Sequence, residues 1–339
     1  MLRYVVSRLC SGVLLMLALT LVTFVVFLRI PIDPAPWIAG HQVTPEERAQ
    51  IHHDLGLDRP ALVQWAKFVE RIVTEGSLGE SLMKQEGIHV NDIVGTALGR
   101  TASLVAGGFA LVLLLSIPLG VLSALRPHTL FDRSVVTVAI LGIVLHPFVV
   151  GLALRALLAR RWHLAPDGGY CPLHAPAPPP DSFATAGCGG LADWAGHLWL
   201  PWITFAFFFL PLYTRMIRAR VLENLGARYV LTARAKGASE WRVVSRHVSR
   251  NVAGPVLAML AVDVGTIVTA AIYIETIFGL HGIGQLVAVN LDGGHGYDLT
   301  VILGVVFVVA AAITVLNLVA DLATLALDPR IRVGRARRA

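Results

Sequence analysis

Chemistry requires a nucleophile, a base or a ligand set in reach of one another, and few residues of this chain fit that description. Ser103, Ser116 and His146 could supply a hydroxyl and an imidazole, but none lies in a Gly-x-Ser-x-Gly turn. No Gly-x-x-x-x-Gly-Lys-Ser/Thr phosphate loop occurs, so the chain is not expected to bind ATP itself. Cys171-x-x-His174, with Cys188 and His163 or His197, has zinc-ligand residue types but lacks a second tight pair, and no metal is expected. Cys171 and Cys188 read either as a disulfide closing a loop or as two free thiols. Cys10 reads as ordinary apolar packing. There remain His146, Asp263 and Glu275, ionisable groups within or beside apolar runs, where such groups usually face a cavity or a partner. Each has a plainer reading as well. His146 could satisfy the carbonyl freed by Pro147, Asp263 could pair between helices, and Glu275 could snorkel.

The elements that must position these groups are set by composition. The 339 residues are 55% hydrophobic and 15% charged, with mean hydropathy +0.69, too apolar for a soluble domain. Runs long enough to cross a bilayer cover residues 9–28, 101–125, 134–154, 194–214 and 299–320, and a sixth, 251–274, is interrupted only by Asp263. Lys and Arg cluster before the first run, at Arg126 and Arg133, from Arg215 through Arg250, and from Arg330 through Arg338. All lie on one side of a six-span protein, so both termini are expected in the cytoplasm. Arg155, Arg160 and Arg161 fall on the other side, where Asp167 or Asp181 could pair with them. The net charge of +6 is thus a matter of topology and anionic lipid, and no nucleic-acid partner is expected. An uncleaved first span is expected too, because Arg29-Ile-Pro-Ile-Asp follows it instead of a small-residue cleavage site.

The most informative stretch joins the fourth and fifth spans: Tyr229-Val-Leu-Thr-Ala-Arg-Ala-Lys-Gly237-Ala-Ser-Glu-Trp-Arg, continuing to Arg246-His-Val-Ser-Arg-Asn251 and Pro255. Good helix formers, a glycine suited to a left-handed position and Ser239 as a cap predict helix, turn, helix. Trp241, Val244, Val248 and Val252 are expected on one packed face, and Arg242, Arg246 and Arg250 on a wet one.

This run resembles the cytoplasmic loop of ABC importer permeases, closest to the B-type subunit of dipeptide and oligopeptide systems. The pieces 31–34, 55–60, 76–82 and 327–332 are similar to the same family, while Leu231 stands where a Glu is usual, Gly254 replaces the Leu of a Leu-Pro, and His281 replaces a proline. The resemblance implies the all-α type I permease fold and a coupling helix that docks on an ATPase subunit. Its contacts would come from Tyr229, Thr232, Ala233, Arg234, Ala235, Lys236, Gly237, Ser239 and Glu240. It also implies a non-catalytic subunit of a bacterial plasma membrane. The partners would be a C-type permease, two ATP-binding subunits that hold ATP and Mg, an extracytoplasmic binding protein, the bilayer and a peptide cargo. Nickel chelates and haem are carried by related systems; an ion-driven carrier using Asp263 would show internal repeats, which are not evident. Pathway and gate candidates are His146, Asp263, Glu275, Phe278 and His281. The expected organisation is a first span (1–30), an extracytoplasmic lobe (31–100), spans two and three (101–157) and an irregular Pro/Gly/Cys insertion (158–197). Spans four to six (198–328) carry the coupling loop (215–250), and a basic tail follows (329–339).

Overall fold

A computed structural model describes residues 2–29, 35–38, 43–54, 58–81, 88–173, 188–291 and 298–327. The pieces 31–34 and 328–332, much of 55–60, the proline run 176–180, His174, Asp181 and the basic tail lie outside the described residues. In chain order the helices are α1 (Leu2–Arg29), α2 (Ala35–Ile38), α3 (Pro45–Asp54), α4 (Ala61–Glu75), α5 (Val90–Leu125), α6 (Leu130–Val144) and α7 (Pro147–Leu154), the last continued by a π-helical turn, Arg155–Arg161. After these come α8 (Leu191–Leu225), α9 (Arg228–Ala235), α10 (Glu240–Arg242) with a π-helical continuation Val243–Val248, α11 (Ser249–Phe278), α12 (Ile283–Leu291) and α13 (Leu299–Leu327). Long apolar helices are the expected outcome, because lipid offers a backbone no hydrogen-bond partner and only internal bonding satisfies it.

Among the described residues, five helices are long and apolar enough to cross a membrane: Val5–Val26, Val90–Leu125, Leu191–Leu225, Glu240–Phe278 and Leu299–Ala323. The expected third span, 134–154, is not one straight helix. Leu130–Val144 and Pro147–Arg161 meet at 100°, and they make a sixth span only when taken together. Proline explains the break, since it lacks an N–H and pushes the preceding residue into extended backbone. His146 has φ −66° and ψ 136°, and Pro147 opens the next helix. The His146 ring satisfies an N–H, not a carbonyl: Nδ1 accepts from the Phe148 amide at 3.2 Å. The second span also differs from expectation, since α5 begins at Val90, upstream of 101. Asp92 and Arg100 removed that first part from the hydropathy window without stopping the helix.

The described chain forms two compact units, Met1–Arg100 with His281–Leu318, and Thr101–Leu280 with Val319–Ala339. In the first, α3 opens with a capping box: the Thr44 amide and hydroxyl donate to Glu47 Oε2, each at 3.0 Å, and the Glu47 amide returns to Thr44 Oγ1 at 3.2 Å. Phe68 of α4 packs with Phe24 and Leu303, and Trp65 Nε1 donates to Thr20 Oγ1 at 3.1 Å. Gly76, at φ +63°, ends α4 in the left-handed position.

In the second unit α5 and α8 touch through glycine. A Cβ on Gly108 would sit 2.6 Å from the Phe205 ring, one on Gly120 2.8 Å from Ile217, and one on Gly107 inside the Trp202 indole. Gly142 of α6 meets Pro211 of α8 in the same manner, at 2.6 Å. Small residues permit such approach where no hydrophobic effect drives helices together. The core around them holds Leu104, Phe205, Phe209, Tyr213, Ile274 and Phe278. Gly108→Val should therefore destabilise the protein by about 1–3 kcal/mol through overpacking, read as a lowered melting temperature in detergent. Gly95→Ala, where an added Cβ meets nothing within 4 Å, should leave it unchanged.

Candidate functional site

The segment joining α8 to α11 folds as a helix, a turn and a helix. A helix of eight residues is not stable alone, so α9 depends on its attachments. Val230 is fully buried with Ala124, Ile217, Val221, Val243, Val248 and Val252. Tyr229 Oη donates to Asn224 Oδ1 at 2.7 Å and accepts from Asn251 Nδ2 at 2.9 Å, tying α9 to the end of α8 and the start of α11. The helix ends in a Schellman motif: the Ala238 amide reaches the Ala233 carbonyl at 3.1 Å, the Gly237 amide reaches that of Arg234 at 2.9 Å, and Gly237 takes φ +80°. Arg234 and Glu240 grip each other across this turn at 2.7 and 3.0 Å. Tyr229, Thr232, Arg234, Ala235, Lys236, Gly237, Ser239 and Glu240 are exposed and Ala233 is half-buried.

Two expectations need correction here. Ser239 occupies the N-cap of α10 but makes no side-chain capping bond. Trp241 does not join Val244, Val248 and Val252 in the core and is 78% exposed. Helical side chains lean toward the N-terminus, so a residue in the first turn projects past the core its successors fill. Leu231, where the resembled pattern has an acid, is 57% exposed, and the two together give the corner an apolar surface.

A cluster that the sequence reading missed lies beside this corner. Asp132, in the first turn of α6, is 3% exposed and every lone-pair direction is used. Its Oδ1 accepts from Arg218 Nε at 2.6 Å and Ser123 Oγ at 2.5 Å, and Oδ2 from Arg218 Nη2 at 2.8 Å and the His128 amide at 2.9 Å. Removing one partner of such a pair strands the other charge, which costs about 3–5 kcal/mol. Thr129-Leu-Phe-Asp132, a Thr three before an acid, was the available signal.

The ionisable pathway candidates occupy different settings. Asp263, half-buried on α11, accepts from the buried Tyr213 of α8 at 2.9 Å. Glu275 does not snorkel: it is 0% exposed, and Thr101 Oγ1 donates to it at 2.5 Å. His146 is exposed, its ring edge-on to Tyr273 with centroids 5.2 Å apart. Phe278 is core. His281 is exposed at φ +54°, and its amide donates to Gln285 Oε1 at 2.8 Å. The turn after α11 thus uses Gly279 and His281 in the left-handed region, while Gly282 and Gly284 do not adopt it.

At the opposite end of α11 from α9, a second set of contacts forms a clasp. Asp167 Oδ1 accepts from Arg155 Nε at 3.0 Å and Arg160 Nε at 2.9 Å. Arg155 also donates to the Ile277 carbonyl, and the Gly169 amide to that of Phe278 at 2.8 Å, satisfying the last carbonyls of α11. Tyr170 Oη lies 3.1 Å from Ser103 Oγ, and Cys171 is disulfide-bonded to Cys188. Residues 162–173 are irregular, and α8 begins at Leu191.

Comparison with known proteins places this geometry. Residues 116–333 match the family of binding-protein-dependent transport system inner membrane components, and residues 1–87 match the N-terminal family of the same membrane components. The di/tripeptide transport system permease of Pseudomonas aeruginosa (strain UCBPP-PA14) is 34% identical over 99% of this chain and all of its own. The dipeptide transport system permease of Escherichia coli (strain K12) is 32% identical over 98% and 99%. Among solved structures, a chain of the MetNI methionine ABC transporter in inward-facing conformations shares the fold, with TM-score 0.52 and 16% identity, covering 72% of this chain and 100% of that one. The chain belongs to the inner membrane components of binding-protein-dependent transport systems, the multi-pass permeases of bacterial ABC importers. In general terms, membership implies ATPase and permease partners and a substrate-binding protein.

The clasp carries a pH dependence. Hydrogen bonds from Arg160, then Arg155, hold the Asp167 carboxyl below the usual carboxylate range. A depressed folded value means the clasp stabilises fully above the unfolded value, about 4, and is lost as pH falls through the folded one. Asp167 is half exposed, so the contribution is about 1 kcal/mol or less. Asp167→Asn should melt below the parent at pH 7, and thermal scans of the two in detergent should converge as the pH is lowered beyond about 4.

Proposed function

We propose that this chain is the B-type permease of an ATP-driven importer of di- or oligopeptides, forming half of the translocation pathway beside a C-type sibling. The cargo reading rests on relatives whose names specify di/tripeptides, dipeptides and oligopeptides over nearly their whole lengths. Two ATP-binding subunits hold ATP and Mg, and an extracytoplasmic protein delivers the peptide; this chain itself carries neither catalytic residue nor cofactor.

The observation that carries the coupling role is the α9 corner: a short helix bolted to α8 and α11 on one side and exposed on the other, in a chain without a phosphate loop. Force applied to the face of Tyr229, Thr232, Ala235 and Lys236 reaches α8 and α11 through Val230 and the Tyr229 phenol. Exposed Leu231 and Trp241 add apolar contact where the resembled pattern has an acid.

The pathway reading rests on α11. In the exposed stripe Ala258, Val262, Gly265, Thr266, Thr269, Tyr273 and Thr276, small and hydroxyl residues recur at three- and four-residue spacing. Lipid-facing stripes of this chain look different, as on α1 with its exposed Leu14, Val22 and Val26. Asp263 flanks the stripe and His146 packs against Tyr273 within it, so both groups would meet a peptide in passage; Glu275 and Phe278 sit at the end of the same helix and His281 in the turn beyond.

Two measurements test these roles in the transporter reconstituted with its ATPase subunits and binding protein. Gly237→Val strains a left-handed residue by about 1–2 kcal/mol and should uncouple ATP hydrolysis from uptake; peptide-stimulated ATPase and uptake at parental levels would refute the docking role. In a Cys10→Ser background, Thr266→Cys and Thr269→Cys should react with a membrane-impermeant thiol reagent, whereas Leu14→Cys should not. Equal reactivity at all three would remove the pathway assignment.

A further inference from the structure

The coupling corner shares its packing with a second corner. Ala124, at the end of α5, sits in the same cluster as Ile217, Val221 and the coupling residue Val230. Gly120 lets α5 approach Ile217, the neighbour of Arg218. Apolar contact of this kind permits sliding, but the bond beside it does not. Arg218 presents a planar fork to both oxygens of Asp132, at 2.6 and 2.8 Å, and such bidentate pairing is specific in angle as well as in distance. Ser123 donates from α5, and the His128 amide, in a turn residue at φ +65°, donates from the connection between α5 and α6. One buried carboxylate therefore fixes the end of α5, the turn, the start of α6 and the inner part of α8.

We propose that Asp132 and Arg218 are the positioning residues that make the α5–α6 corner move with the α8–α9 corner as one rigid body, so that displacement of α9 is delivered to α6 and its bent continuation α7. This rests on the reading of α9 as the coupling helix and extends it to a second element, the start of α6. Without the pair, α9 still docks and ATP is still hydrolysed, but α6 slips against α8 and the stroke is dissipated. Buried ion pairs often tolerate replacement by apolar residues of similar volume, so the fold and the linkage can be separated.

The experiment uses the whole reconstituted complex, with radiolabelled trialanine as the transported probe. Asp132→Leu with Arg218→Met should keep thermal stability and ATP hydrolysis near the parent while trialanine carried per ATP falls about tenfold. Arg218→Lys, which keeps charge but not the fork, should not rescue it. Parental uptake per ATP in the double variant overturns the proposal. Should that variant fail to assemble, the parent decides. Spin labels at Leu130→Cys on α6 and Arg228→Cys on α9, both exposed and in a Cys10→Ser background, should keep their separation between nucleotide-free and vanadate-trapped states. A change beyond about 5 Å, one helical turn, overturns rigid-body motion. Failure of the docking reading is distinct. It would appear as absence of a cross-link from Leu231→Cys to the ATPase subunit, with the label separation still constant.

Discussion

The structure's inner end depends on the burial of one small side chain. Val230 is the only residue of α9 that is fully buried, and it places the helix on α8 and on the π-helical stretch leading into α11 at once. Burying a valine stabilises by about 1.5–3 kcal/mol, which is comparable with the cost of ordering an isolated turn of helix. The Tyr229 hydrogen bonds to Asn224 and Asn251 then remove the remaining rotational freedom. An exposed face mounted this way is stiff, and stiffness is what a part that transmits force requires.

The same logic of satisfied backbone shapes the membrane portion. Pro118, Pro201, Pro211 and Pro255 lie inside helices, whereas Pro147 opens one after a break. The difference is local. Pro211 packs on Gly142 of a neighbouring helix. At Pro147 the preceding histidine supplies a replacement acceptor for the first amide of the new helix, so the chain can turn by 100° without leaving that group bare. The hydroxyls of Ser116 and Thr214 are buried with no hydrogen-bond partner among the described residues, in the region where α5 and α8 approach through glycine.

Much of this was legible in the sequence, and where it was not the reasons are specific. Helix, turn and helix around Gly237 followed from propensity and a single glycine. Hydropathy located the run at 134–154 but not the bend within it, because it averages over a proline that interrupts geometry without interrupting apolarity. The snorkelling alternative for Glu275 fell for a related reason: position along a helix tells depth but not which side chain waits opposite, and Thr101 lies far away in sequence. Asp132 and Arg218 were invisible as a pair for the same cause. Trp241 was assigned to a face by period alone, which ignores that a first-turn side chain has nothing behind it to pack on.

The arginines at 155 and 160 show how one residue type serves two demands. On the cytoplasmic side Lys and Arg record which loops stayed behind, a signal read from number and position. At the other end of the same helices, Arg155 is fixed by geometry instead: it binds Asp167 and the terminal carbonyl of Ile277, where a cation also meets the negative end of the α11 dipole. A charge held by an acid and a helix terminus carries little topological weight, because its field is already answered locally. The apparent exception to the charge rule is therefore a structural cap.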